Sequence, residues 1–123
     1  MILIFFGLCG EAGKMSFWDL KNLKLEAFRP GIFSKAEIGD RLIMACMEIE
    51  AHQEDPGHEH PFDQCGIVVQ GQIEMFIGDE HKILAESETY FAPAGITHGW
   101  KTTDRPARIL DVSIKQNYEL SQD

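Results

Sequence analysis

Asp55-Pro56-Gly57-His58-Glu59-His60-Pro61-Phe62-Asp63-Gln64-Cys65-Gly66-Ile67-Val68-Val69-Gln70-Gly71 is the stretch on which the reading of this chain turns. Two histidines stand at alternate positions, and a glutamine follows four residues after the second. In an extended chain the side chains alternate between faces, so His58 and His60 project to the same side. Gln64 shares their parity and can join them. Two imidazoles converging from one strand are a natural start for a divalent metal site. A third histidine, His98, follows the Pro93-Ala94-Gly95 turn. His58, His60, Gln64 and His98 are therefore the candidate metal ligands. For the His-x-His pair alone the plain alternative is two solvated loop histidines beside acidic residues, and the pair does not decide between them.

The surroundings do more. A Pro56-Gly57 turn precedes the pair, and the β-branched run Ile67-Val68-Val69 follows it and ends at Gly71. A short strand, Thr89-Tyr90-Phe91-Ala92, leads into the second histidine segment. This double pattern resembles the cupin superfamily, whose first motif reads His-x-His, three or four residues, Glu, six residues, Gly. His58, His60 and Gly71 fall in register with it, and Gln64 occupies the acidic position. The second motif of that superfamily reads Gly, five residues, Pro-x-Gly, two residues, His, three residues, Asn. Pro93, Gly95 and His98 fit, while Ser87 replaces the first glycine and Thr102 the asparagine. The resemblance runs over roughly residues 40 to 114. It implies an all-β fold, a cupin double-stranded β-helix or jelly-roll barrel, whose mouth holds the metal. It also implies a homodimer.

Strand signals agree with that class. Gly31 to Ala36, Arg41 to Glu50, Gln72 to Ile77, His81 to Ala85 and Ala107 to Ile114 read as strands between Gly and Pro turns. About nine short strands without a long helix indicate an antiparallel sandwich, jelly roll or barrel. Leu42 to Ile49 is apolar on both faces, which suits a strand covered on both sides. Ile109, Asp111 and Ser113 share one face of the last strand. Ser16 to Leu23 could make one or two helical turns with Ser16 as N-cap. Residues 15–114 are expected to form one cupin domain, followed by a polar tail over 115–123. Residues 1–14 form an N-terminal extension, either an added strand or a segment upstream of a second start at Met15. Its apolar run is too short to span a bilayer.

Composition narrows the partners. A net charge of −9 in 123 residues argues against nucleic acid, whose binding needs clustered Lys and Arg, and against anionic membrane surfaces. Cys9, Cys46 and Cys65 are odd in number and scattered, which fits free thiols in a reducing cytoplasm rather than a disulfide framework. His52 and His81, in polar surroundings, read as surface residues. Phe62, Phe76, Phe91 and Trp100 are candidate pocket walls, or simply core.

Three histidines and an amide oxygen suit one divalent transition metal, whether Zn, Ni, Fe, Mn, Co or Cu. A neutral Gln64 in place of a carboxylate leaves more positive charge at the metal and strengthens it as a Lewis acid. That favours a small-molecule substrate, anionic or α-hydroxycarbonyl in character.

A subgroup resembles the chain more closely. His60-Pro61-Phe62-Asp63-Gln64, the Pro93-Ala94-Gly95 turn with His98, and Leu110-Asp111-Val112 are similar to small cupins of pectin and alginate breakdown. Those bind metal through three histidines and a glutamine and promote linearisation of unsaturated uronates. The resemblance makes Asp111 the catalytic acid/base, against a plain structural aspartate. The chain departs from the subgroup at Ser113, where an aromatic is expected, and in lacking the arginine that would grip a carboxylate. Lys115 is a substitute with a point charge rather than a fork. The functional expectation is a metal-dependent enzyme working by isomerisation or keto–enol proton transfer on a sugar acid or oxo acid. A dioxygenase and a non-catalytic binding or sensing cupin are the alternatives.

Overall fold

The computed structural model describes residues 16–116. The expectations for residues 1–14, and for the tail past residue 116, lie outside the described residues. Nine strands follow one another: β1 (Glu26–Arg29), β2 (Ile32–Ile38), β3 (Leu42–Ile49), β4 (Glu54–His58), β5 (Gln64–Ile77), β6 (Glu80–Ala85), β7 (Thr89–Ala92), β8 (His98–Lys101) and β9 (Ala107–Ile114). All pair antiparallel, in the order β1-β2-β3-β9-β5-β8-β4, with β6 and β7 also on β5.

One strand joins the two layers. The first half of β5 pairs with β7 and β9, and its second half with β6 and β8. The sequence suggests two separate segments meeting at Gly71, but the structure runs a single strand of 14 residues through it. The change of partners happens where a bulge lies between Val68 and Gln70 and Gly71 adopts φ 81°. A Cβ at Gly71 would strike the Pro106 carbonyl oxygen, so both the backbone angle and the close approach call for glycine.

Alternation fills the interior. Ile43, Ala45, Met47 and Ile49 of β3 point inward, as do Val68, Ile73 and Met75 of β5 and Ile109 of β9. Met47, Ile49, Val68, Ile73, Met75 and Ile109 pack with Ile32, Leu84, Tyr90 and Trp100, while Ile43 and Ala45 pack with Ile38 in a second cluster. The opposite face of β3 is covered only in part. Cys46 is buried, yet Leu42 is 56% exposed, so the two-sided cover expected from composition stops short of that end.

The helical turns expected over Ser16 to Leu23 are absent. A single turn forms instead, with the Asn22 N–H donating to the Asp19 carbonyl at 3.1 Å. Eight residues are too few to hold a helix unaided. The Leu20 and Leu23 carbonyls are taken by Nη1 of Arg108 at 2.7 and 3.1 Å, and Arg108 Nε pairs with Glu48 at 2.9 Å. Thr102, where the motif carries asparagine, is buried and structural. Its hydroxyl donates to the Glu50 carbonyl at 2.6 Å and accepts from the Gln53 N–H at 3.0 Å. Among the described residues no helix is long and apolar enough to cross a membrane.

Candidate metal centre

His58 closes β4, His98 opens β8, and the two are register partners on adjacent strands. Facing residues of an antiparallel pair carry their side chains on one face, and these two ring centroids are 4.5 Å apart. His60 lies two positions beyond His58, with its ring 4.7 Å from His58 and 5.4 Å from His98. Its carbonyl accepts the Gly95 N–H at 2.7 Å, which ties its loop to the turn ahead of His98. Its ring stacks on Phe62 at 4.6 Å and 5°. Of the proposed wall residues, Phe62 thus takes a site position.

One ligand atom from each histidine lies within 4.8 Å of the others. Nε2 of His58, His60 and His98 are all buried, and none has a hydrogen-bond partner among the described residues. A buried polar group left unpaired costs about 1–3 kcal/mol. Three such nitrogens facing one another is an arrangement that a cation resolves. The other ring nitrogens explain the pose. His98 Nδ1 lies 3.1 Å from the Ile96 carbonyl, which can only accept, so Nδ1 carries the proton and Nε2 the lone pair. His58 Nδ1 lies 3.0 Å from Asp55 Oδ1. Burial drives the His60 imidazole down to about 4 and lowers that of His98 against the pull of the Ile96 carbonyl. Both rings are therefore neutral at ordinary pH, the form that binds metal.

Asp55 backs the histidine cluster through His58 and is not among the residues marked in the sequence. Burial by itself would raise its carboxyl, but hydrogen bonds from His58 and from the Gly57 N–H at 3.0 Å prevail and hold it below the usual range. The Pro56-Gly57 turn expected from the sequence is instead part of β4, where a bulge between Asp55 and His58, with Gly57 at φ 138°, lets Asp55 meet both the Gly57 N–H and the His58 ring. Asp55→Ala is expected to weaken metal binding ~10–100-fold, the usual cost of losing a carboxylate behind a ligating histidine. Competition against a chromophoric chelator measures it, and parent-like affinity would refute the orienting role.

Gln64 and Asp111 meet. Gln64 opens β5 and is 2% exposed, and its Nε2 donates to both Asp111 oxygens at 2.9 Å. The Tyr90 hydroxyl donates to Asp111 Oδ2 as well. Asp111 is fully buried between Ala45 and Gly66 on the neighbouring strands. Burial pushes its carboxyl up to about 6, against the lowering effect of the Tyr90 and Gln64 hydrogen bonds. Burial, then the Asp111 charge, raise the Tyr90 phenol well above its ordinary value. Tyr90 was not singled out from the sequence, because nothing local marks a tyrosine that reaches across a strand.

The other wall candidates divide: Phe91 is 58% exposed, neither core nor interior wall, whereas Trp100 is core, one of the two readings the sequence allows. Lys115 Nζ donates to the Gly39 carbonyl at 3.3 Å, so the turn between β2 and β3 engages it. Ser113 is buried, with its hydroxyl unpaired among the described residues. His52 and His81 lie at the surface, as read.

The cupin domain model matches residues 45–113, more than half of the chain. This chain belongs to the cupin family. As a small single-domain cupin it has the jelly-roll barrel that the motifs imply, and its histidine cluster suits the metal that such barrels commonly carry. Solved structures agree on the fold. KdgF from Halomonas sp. shares 23% identity, covering 87% of this cupin and 99% of that chain, with a TM-score of 0.73. TT1209 from Thermus thermophilus shares 25% over 84% and 100%, at 0.72. The polyketide cyclase RemF from Streptomyces resistomycificus shares 21% over 84% and 81%, at 0.71. A search of curated proteins finds no match.

Proposed function

We propose that this cupin is a Lewis-acid metalloenzyme that moves a proton on a small sugar acid or related oxo acid, by isomerisation or keto–enol exchange. The observation that carries the reading is the trio of buried Nε2 atoms on His58, His60 and His98, each without a partner among the described residues. Gln64 is the proposed fourth ligand, through its amide oxygen. A divalent metal at that point would polarise a substrate carbonyl or hydroxyl and acidify the neighbouring C–H.

The protein's own residues supply the rest. His58, His60 and His98 would hold the metal, which would supply the Lewis-acid chemistry, and Phe62 backs the His60 ring. Asp111 is the proposed acid/base. Its carboxyl near 6 suits a group that both takes and returns a proton around neutrality. Fully buried, its carboxyl is held in place by hydrogen bonds from the Tyr90 hydroxyl and the Gln64 amide. The resemblance of His60-Pro61-Phe62-Asp63-Gln64 and Leu110-Asp111-Val112 to cupins of pectin and alginate breakdown supports unsaturated uronates as the substrate class. Cys46 and Cys65, both free thiols, support a cytoplasmic setting. The exposed Leu42, Phe91 and Ile114 support a homodimer.

The test is turnover of an unsaturated uronate by metal-loaded and metal-stripped protein, with oxygen uptake followed in parallel. Loss of the substrate's ultraviolet absorbance, dependent on metal and indifferent to oxygen, is the expected result. Strict dependence on oxygen would replace this reading with a dioxygenase. Binding that leaves the ligand chemically unchanged would make the protein a sensing or carrier module.

A further inference from the structure

The Gln64 side chain has two chemically opposite ends, and only one of them can ligate a cation. An amide oxygen donates a lone pair, whereas the NH2 group offers only protons. Which end is offered to the proposed metal depends on what holds the amide. In this structure the choice is made by a carboxylate: Nε2 donates to both oxygens of Asp111, at 2.9 Å each. A carboxylate accepts and cannot satisfy the oxygen end, so reversing the amide would oppose two buried acceptors.

Asp111 is itself held. The Tyr90 hydroxyl donates to Oδ2, and both Tyr90 and Asp111 are buried. Tyr90 reaches it only because its register partner on β5 is Gly66, which is also the register partner of Asp111 on the other side. A Cβ at Gly66 would collide with the Tyr90 hydroxyl and come within 2.5 Å of the Leu110 carbonyl. The missing side chain opens a passage from β7, across β5, to β9.

We propose that Tyr90 is a positioning residue for the metal centre: by anchoring Asp111 across Gly66, its hydroxyl locks the Gln64 amide with its oxygen end toward the ligand cluster. The inference rests on the proposed metal reading, with Gln64 as the fourth ligand beside the three histidines, and it gives Tyr90 a role without contact to metal or substrate. Groups that orient a ligand in this way typically alter metal affinity ~10–100-fold when removed.

The test uses Co(II), whose visible spectrum reports its ligands, on the full chain and its variants. Tyr90→Phe keeps the ring and deletes the hydroxyl. It is expected to weaken Co(II) binding about 10-fold and to move the spectrum in the same direction as Gln64→Ala. In a Gln64→Ala background, Tyr90→Phe is expected to change affinity less than about two-fold, because the group it positions is gone. Parent-like affinity and spectrum in Tyr90→Phe, or losses that multiply in the double variant, would overturn the proposal. A parent that binds no Co(II) would overturn the metal reading and this inference with it. A second measurement needs no Tyr90 variant. In metal-free parent protein the Gln64 NH2 protons, assigned by their loss in Gln64→Ala, should exchange with solvent far more slowly than those of exposed Gln70. Equal exchange rates would likewise overturn the proposal.

Discussion

His60→Ala is expected to strip the protein of its metal. The parent, purified and analysed for its elements, should carry about one equivalent of a single transition metal, and the variant almost none. Affinity should fall by more than the ~100-fold that marks loss of a supporting partner, since a ligand atom itself is removed. The reason is geometric. Three nitrogens within 4.8 Å of one another share one cation, and removing one leaves two lone pairs and an open side. Burial also holds the His60 imidazole neutral, so its deletion removes a donor that protons do not contest. The fold should survive, because the imidazole has no buried hydrogen bond from Nε2 to lose. The identity of the metal then directs the chemistry: Zn or Ni suits the Lewis-acid reading, and Fe the oxygen-dependent alternative. Absence of metal from the parent after reconstitution would reduce His58, His60 and His98 to structural residues.

Asp111→Asn should leave the histidines in place and remove the chemistry. Turnover is expected to fall ~10²–10⁴-fold, the range that a positioned acid/base contributes. At saturating metal the variant should still hold about one equivalent, because all three imidazoles remain. Asparagine is nearly isosteric but cannot carry a proton between substrate and solvent. It also offers the Gln64 amide and the Tyr90 hydroxyl one acceptor oxygen where the carboxylate offers two. Turnover within two-fold of the parent would take Asp111 out of the reaction and leave it as a support for Gln64. Loss of turnover together with loss of metal stoichiometry would assign it to the metal centre rather than to proton transfer.

These expectations draw unequally on sequence and on structure. Strand parity was legible because a β-strand repeats every two residues, whatever it packs against. It placed Ile109, Asp111 and Ser113 on one face, and all three are buried. The two motif histidines also come close, with rings 4.7 Å apart, although β4 ends at His58 and His60 stands in the loop beyond it, where strand parity does not apply. The last strand, Ala107–Ile114, has the bounds that its alternation and flanking turns indicate. Parity is silent about how far a sheet face is covered. Phe91 and Leu42 therefore read as interior yet lie open on the outer face.

What the sequence alone determined is the all-β class, the strand order of the two histidine motifs, and the residues able to supply nitrogen and oxygen donors. These follow from local periodicity, turn chemistry and motif spacing, each of which acts over a few residues. What only the tertiary structure decided is which of those donors meet and what holds them. His58 and His98 are brought opposite one another by pairing between β4 and β8, and Tyr90 reaches Asp111 through the gap left by Gly66. Such contacts join residues far apart in the chain, and they depend on the registers of several strands at once. A hydrogen bond of that kind has no local signature, because its geometry exists only after the sheet has closed.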